Sequence, residues 1–329
     1  MMLVMLGHYL PLRNPTTTYV LINNPCKALL NLELHSICII CVHCFILISG
    51  YFGIKWKFKS FVSLLFQLLF WAIIGYFLAK YFIEPFVKSD NDYSVSAFIS
   101  QMLSWYQGRW FVSAYVCLYI LSPLINAFVN QASERNLLMY LVVFYCFSSI
   151  YGWILRSQEF QTCLSTISLI GLYMVGAWLR KSSLYFVNWS KRLDLICFVI
   201  CTLALTGFSA LLLLLGVHSS LFGYLNPLVI IESIFLFQFF RKIEISKNYY
   251  INFLAASAFS AFLLHCHPFV SSTYNKICIA LHQYDFAIIY VFVFISLLFL
   301  LSVLIDKIRV FLWVTITHLV GKINTCLAC

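Results

Sequence analysis

The chain has 329 residues, of which 63% are hydrophobic, 18% aromatic and only 10% charged, and its mean hydropathy is +0.93. A water-soluble domain has no means of burying that much apolar surface, so composition excludes the soluble and disordered classes and leaves a polytopic membrane protein. The net charge of +10 does not argue for a nucleic-acid partner, because the basic residues fall in short loops between apolar runs, as the positive-inside bias requires.

The chain opens on "MMLVMLGHYLPLRNP", an apolar stretch holding His8 that Pro11, Arg13 and Pro15 stop before it is long enough to cross a bilayer. Beyond it, a ruler of roughly 20 apolar residues per span marks about nine segments, near 36–54, 60–82, 110–130, 137–155, 163–179, 193–216, 221–240, 252–272 and 285–305. With the opening stub, the expected fold is all-α: a membrane bundle of about ten transmembrane helices, the first truncated, forming one domain over residues 1–329. Residues 310–329 are expected to be a short cytoplasmic or interfacial tail. No internal repeat or low-complexity tract is visible.

Assigning alternate loops to opposite faces puts 14 of the 21 Lys and Arg on one side and 7 on the other. The excess marks the cytoplasmic face and places both termini there. The longest outer loop, near 83–109, carries Glu84, Asp90 and Asp92. The 13 cysteines lie mostly in apolar runs, where Cys behaves as a small hydrophobe, and say little about redox compartment.

Ionisable groups inside a bilayer are costly and are the places to look for chemistry. They are His8, His43 in "CIICVHCFILISGYF", Glu232 in "LNPLVIIESIFLFQFF", and His265 with His267 in "FSAFLLHCHPFV". A lone membrane histidine also serves simply to hydrogen-bond a neighbouring helix. Glu232 lies nine residues before Arg241, about 13 Å at 1.5 Å per residue, so it must be protonated, paired or facing a wet cavity. Two metal-like patterns are weak. Cys38, Cys41 and Cys44 drift around a helix and lack a fourth ligand, which favours packing. His265 and His267 point to different sides of a helix unless Pro268 breaks it. No metal site is expected.

The order of these segments resembles bacterial acyltransferase family 3, the integral-membrane acyltransferases that decorate surface polysaccharides. "LGHYL" resembles the family's first-helix segment and "HCFILISGYF" its second-helix signature, ending here in Ser49, Gly50 and Tyr51. "RWFVSAYVCLYILSPLIN" is similar to its third segment, with Trp110, Tyr119, Pro123 and Asn126. "NPLVIIESIFLFQFF" and "SAFSAFLLHCHP" resemble the late segments. Members of the family carry an arginine eleven residues before the first-helix histidine. In this chain it would fall about four residues before Met1, so the missing inner half-helix and the missing arginine are one absence.

The resemblance implies transfer of an acyl group, commonly acetyl, from acyl-CoA to a hydroxyl of a surface polysaccharide or glycan precursor. Acetyl-CoA would be a donor substrate, with no permanently bound cofactor. Donor phosphates would meet the inner-loop cations, chiefly Lys55, Lys57, Arg180 and Lys181, near Ser49, which with Gly50 is expected to pack the second helix closely on the first. A sugar hydroxyl needs a base, and histidine suits it. His8 is the expected base, with Glu232 or His265 orienting or polarising nearby groups. On the acceptor side Arg109, Trp110 and Tyr119 are expected to meet the sugar, although an interfacial aromatic belt explains the aromatics equally. Two other readings fit the same polar positions: a glycan or lipid transporter or flippase, and an inactive truncated relative. Midplane Gly or Pro breaks and matched halves, the marks of a carrier, are not evident.

Overall fold

The computed structural model describes residues 1–9, 16–88, 91–103, 110–155, 165–217, 221–284 and 286–327. In chain order the helices are α1 (Met2–Tyr9), α2 (Thr18–Asn23), α3 (Pro25–Ile39), α4 (Cys41–Phe52) and α5 (Phe58–Phe77, continued by a π turn over Leu78–Ile83). Next come α6 (Val95–Leu103), α7 (Trp110–Gln131), α8 (Glu134–Ser148, with a π turn over Ser149–Ile154), α9 (Thr166–Lys181), α10 (Tyr185–Asn188) and α11 (Lys191–Leu214). The last are α12 (Pro227–Arg241), α13 (Tyr249–Ala255), α14 (Ala258–His265), α15 (Pro268–Leu281) and α16 (Ala287–Leu327). The described residues form no strand.

Proline sets several boundaries. Pro25, Pro227 and Pro268 each open a helix, where a missing N–H costs nothing. The preceding side chain caps each one: Asn24 accepts from Lys27 N–H, Asn226 from Leu228 N–H and His267 from Phe269 N–H. Pro123 sits instead inside α7, where it leaves the Tyr119 carbonyl without its usual helical donor. Ser122 donates its hydroxyl to that carbonyl at 2.7 Å.

Five helical stretches are long and apolar enough to cross a membrane: Pro25–Phe52, Phe58–Ile83, Trp110–Gln131, Lys191–Leu214 and Ala287–Leu319. A sixth is the pair Tyr249–His265 and Pro268–Leu281, bent by 87°. The chain is therefore an all-α, multi-pass membrane protein. Among the described residues, length and composition yield five or six spans rather than ten, because α8, α9 and α12 have only 15, 16 and 15 residues. The tail also differs from expectation: residues 310–327 continue α16, a single helix of 41 residues.

The helices pack as two compact units. The first comprises Met1–Met5, Lys57–Arg109 and Lys247–Cys329, and the second Leu6–Trp56 and Trp110–Ser246. In the second, the core gathers Ile40, Leu205 and Val229 from the α3–α4 junction, α11 and α12, and a further cluster joins Leu21, Ala28, Leu32 and Ala210. In the first, α5, α14 and α16 meet around the buried side chains Trp71 and Asp306.

Candidate active site

The second unit is closed by a seam in which α4 and α9 touch backbone to backbone. A Cβ on Gly50 would lie 2.0 Å from the Tyr173 carbonyl oxygen, and one on Gly176 would lie 2.3 Å from that of Leu47. Only glycine fits, as small-residue seams between membrane helices require. Gly50 is closely packed, but against α9 and not against the first helix as expected. Ser49 bonds its hydroxyl to the Phe45 carbonyl at 3.1 Å.

The seam delivers Tyr173 to the end of α4, where Gly53 at φ 74° turns the chain out of the helix. The Tyr173 hydroxyl accepts from the Ile54 N–H at 2.8 Å and donates to Asn126 Oδ1 at 2.7 Å, while Asn126 Nδ2 donates to the Ile54 carbonyl at 2.9 Å. Both backbone groups of Ile54 are therefore held by side chains of α7 and α9. The next residues, Lys55 and Trp56, are exposed but anchored, and the Trp56 ring lies 5.2 Å from that of Tyr119. Arg180 reaches the same turn, with Nη1 3.4 Å from where a Gly53 Cβ would stand. Ser49, Lys55, Arg180 and Tyr119 thus share one end of the unit. Lys57 is exposed and lies in the first unit, where it precedes α5.

Lys181 is engaged otherwise. Its ammonium donates to the carbonyls of Val129, Asn130 and Ala132 at 2.5, 3.4 and 2.9 Å, satisfying acceptors that the end of α7 leaves open. Beside it, the hydroxyls of Ser182 and Ser183 and the Ser183 N–H hold the Glu134 carboxyl below the usual carboxylate range. Lys242 pairs with the buried Asp194 at 2.6 Å, and Trp189 Nε1 donates to the same carboxylate at 2.6 Å.

Glu232 is fully buried and accepts from Thr202 at 2.8 Å and from Ser36 at 3.2 Å. One turn further along α11, Thr206 donates to Glu33 at 2.7 Å. Two carboxylates and three hydroxyls thus stitch α3, α11 and α12 together. Sequence reasoning found only Glu232, although the spacings Glu33/Ser36 and Thr202/Thr206 put each pair on one helix face. His43, also buried, donates from Nε2 to the Tyr224 carbonyl at 2.9 Å.

The remaining expected residues divide between the units. His8 is exposed on α1, and the neighbouring Gly7 lies against Cys38 of α3. Cys41 and Cys44 turn their sulfurs toward the Ile37 and Ser233 carbonyls, both at 3.9 Å, as packing residues do. Trp110 opens α7 and lies tilted against Tyr224, with rings 5.7 Å apart, whereas Tyr119 meets Trp56 near the middle of that helix. The two aromatics expected at one sugar are nine residues apart, about 13 Å along the helix. Arg109 lies outside the described residues.

His265 belongs to the first unit and is buried. Its Nδ1 donates to the Ala261 carbonyl at 2.6 Å, which leaves Nε2 as acceptor for the Cys266 thiol at 3.3 Å. His267 is a wedge: Nε2 donates to the Ala72 carbonyl at 3.1 Å, and its ring would lie 2.4 Å from a Gly75 Cβ.

The model of the acyltransferase domain, family 3, matches residues 1–307. No curated protein and no solved structure matches the chain. A match over nearly the whole chain, on a helical membrane protein, makes this chain a member of acyltransferase family 3.

Proposed function

We propose that this membrane acyltransferase moves an acyl group, commonly acetyl, from coenzyme A to a hydroxyl of a surface polysaccharide or its precursor. Family membership over residues 1–307 carries the reading. The turn whose Ile54 backbone is held by Tyr173 and Asn126 supports it, because Lys55 follows that turn and Arg180 reaches it, and two cations at one rigid turn suit the phosphates of a nucleotide donor. In this reading the basic end of the second unit faces the cytoplasm of a bacterial inner membrane, and Lys57 adds to the donor-binding charge. Lys181 acts mainly as a cap for α7.

In the transfer, the thioester C–S bond breaks and an ester C–O bond forms. The hydroxyl proton passes to His8 as base and then to the departing coenzyme A thiolate, so that no net proton is consumed. Glu232 holds α3, α11 and α12 in register. His265, with its tautomer fixed by Ala261, is the second candidate for proton handling. Trp110 beside Tyr224 is the proposed sugar contact.

Membranes carrying the protein are incubated with acetyl-CoA labelled in the acetyl group, and label in glycan is counted. The expected result is label with the wild type and a loss of about 100-fold or more for His8→Ala, the range of a lost general base. Wild-type incorporation by His8→Ala would remove the base assignment. Absence of label in glycan with the active wild type would overturn the acceptor class.

A further inference from the structure

Two buried donors at the basic end of the second unit have no acceptor among the described residues. Gln238 on α12 is fully buried, and its Nε2 is without a partner. The amide orientation is not open to reversal, because Oε1 is already fixed as acceptor for Arg241 Nη2 at 3.1 Å. The NH₂ group therefore faces away from the guanidinium with its hydrogens unused, at a cost that a buried donor does not normally bear. The second donor is the indole N–H of Trp178 on α9, where the side chain is 4% exposed.

Gln238 is bonded to Arg241 directly, and Trp178 is linked to that arginine through Phe186 and Val187. Arg241 Nη2 donates to the Val187 carbonyl at 2.6 Å, and its Nη1 lies 3.5 Å from the Tyr51 hydroxyl, with the guanidinium 5.6 Å from that ring. Trp178 packs on Phe186, the residue before Val187, with rings 6.0 Å apart. Three of the five N–H groups of Arg241 are used by these partners and Gln238, leaving two. A half-buried arginine with N–H groups to spare, beside an unpartnered amide and an unpartnered indole, suits a ligand rich in acceptor oxygens and carrying negative charge.

We propose that Arg241 and Gln238, with Trp178 at the flank, form a binding site for a phosphate ester. Two sources share that chemistry: the phosphate-bearing pantetheine arm of an acyl-CoA donor, and the headgroup of an anionic phospholipid. The first deepens the proposed function and rests on it, whereas the site itself does not. An acyl-CoA phosphate here would be bound by residues on α12, beyond the Lys55 and Arg180 turn.

The test uses the full chain purified in detergent. Coenzyme A binding is measured by calorimetry, and retention of phosphatidylglycerol by native mass spectrometry after release from phosphatidylglycerol-containing nanodiscs. Gln238→Glu is the sharper variant, because it keeps the acceptor for Arg241, replaces the unused donor by an acceptor oxygen and adds a negative charge that repels a phosphate. A merely structural role predicts that this variant melts at or above the wild-type temperature and binds both probes unchanged. The phosphate site predicts about tenfold or greater weakening in Gln238→Glu and in Arg241→Gln. Weakening of coenzyme A binding assigns the donor. Weakening of phosphatidylglycerol retention alone keeps the site, makes it a lipid site and leaves the donor reading to stand on Lys55 and Arg180. Unchanged affinity for both probes in both variants overturns the proposal.

Discussion

The two units join their helices by different means. In the second, the closest contact is glycine against backbone, and the carboxylates between α3, α11 and α12 are met by neutral hydroxyls, the buried Glu232 by Ser36 and Thr202 and the half-buried Glu33 by Thr206, while Asp194 near the start of α11 pairs with Lys242. In the first, the lock is a ring, and the buried carboxylate to which α5 donates is ion-paired within its own helix. His267 fills the notch at Gly75, and the buried Asp306 takes both Nε and Nη2 of Arg309, with Trp71 Nε1 at 3.4 Å. A carboxylate facing hydroxyls can take up a proton and keep its partners, whereas one bonded to a buried guanidinium cannot leave without stranding a charge. Glu232 therefore tolerates a polar change that Asp306 does not.

The largest effect that sharpens this contrast is expected at Asp306. Asp306→Asn leaves Arg309 buried without its counter-ion and should cost about 3–5 kcal/mol, read as a large fall in the detergent melting temperature. Glycine substitutions come next. Gly50→Ala drives a methyl into the Tyr173 carbonyl, which cannot swing aside, and should cost about 1–3 kcal/mol or more. Gly207→Ala, with nothing within 4 Å of the added Cβ, should be neutral or stabilise by up to about 1 kcal/mol. Equal melting temperatures for the two would dissolve the backbone seam.

Glu232→Gln keeps acceptor capacity for Ser36 and Thr202, so its cost should stay near 1–2 kcal/mol. A loss as large as that of Asp306→Asn would break the comparison. The smallest effect belongs to Glu134, whose carboxyl is held below its ordinary range by Ser182 and Ser183. Since the folded pKa is depressed, the contribution is complete above the unfolded value and fades as pH falls through the folded one. Protease cutting near Ser183 should therefore rise at acid pH in the wild type, and Glu134→Gln should show little of that pH dependence.

Much of the fold was legible because a membrane span is written in consecutive residues. The run over 60–82 appears as Phe58–Ile83 and that over 110–130 as Trp110–Gln131. The helix starts at Pro25, Pro227 and Pro268 were not among the expected boundaries, since the expected spans begin at 36 and 221 and run through 268, although a proline at a helix start is a local mark. The break at Ile40 between α3 and α4 depends on packing that no local run of residues encodes, whereas the 87° bend after His265 falls at Pro268. At the candidate site, Lys55, Arg180 and Glu232 were visible as charges in an apolar text. Their partners were not, since Ser36 lies 196 residues from Glu232 and Tyr173 lies 119 from Ile54, and a lone Ser or Tyr in an apolar run carries no mark of what it will meet. Lys181 could not be told from Arg180 by sequence, because the difference lies in where the end of α7 puts its carbonyls.

The 41 residues of α16 give a rod of about 60 Å, twice the roughly 30 Å depth of a hydrocarbon layer. Such a rod is tied near its middle, where Trp71 of α5 donates to Asp306. Any tilt of its membrane portion is magnified at the far end, so that a probe near Ile316 would report the inclination of the whole span.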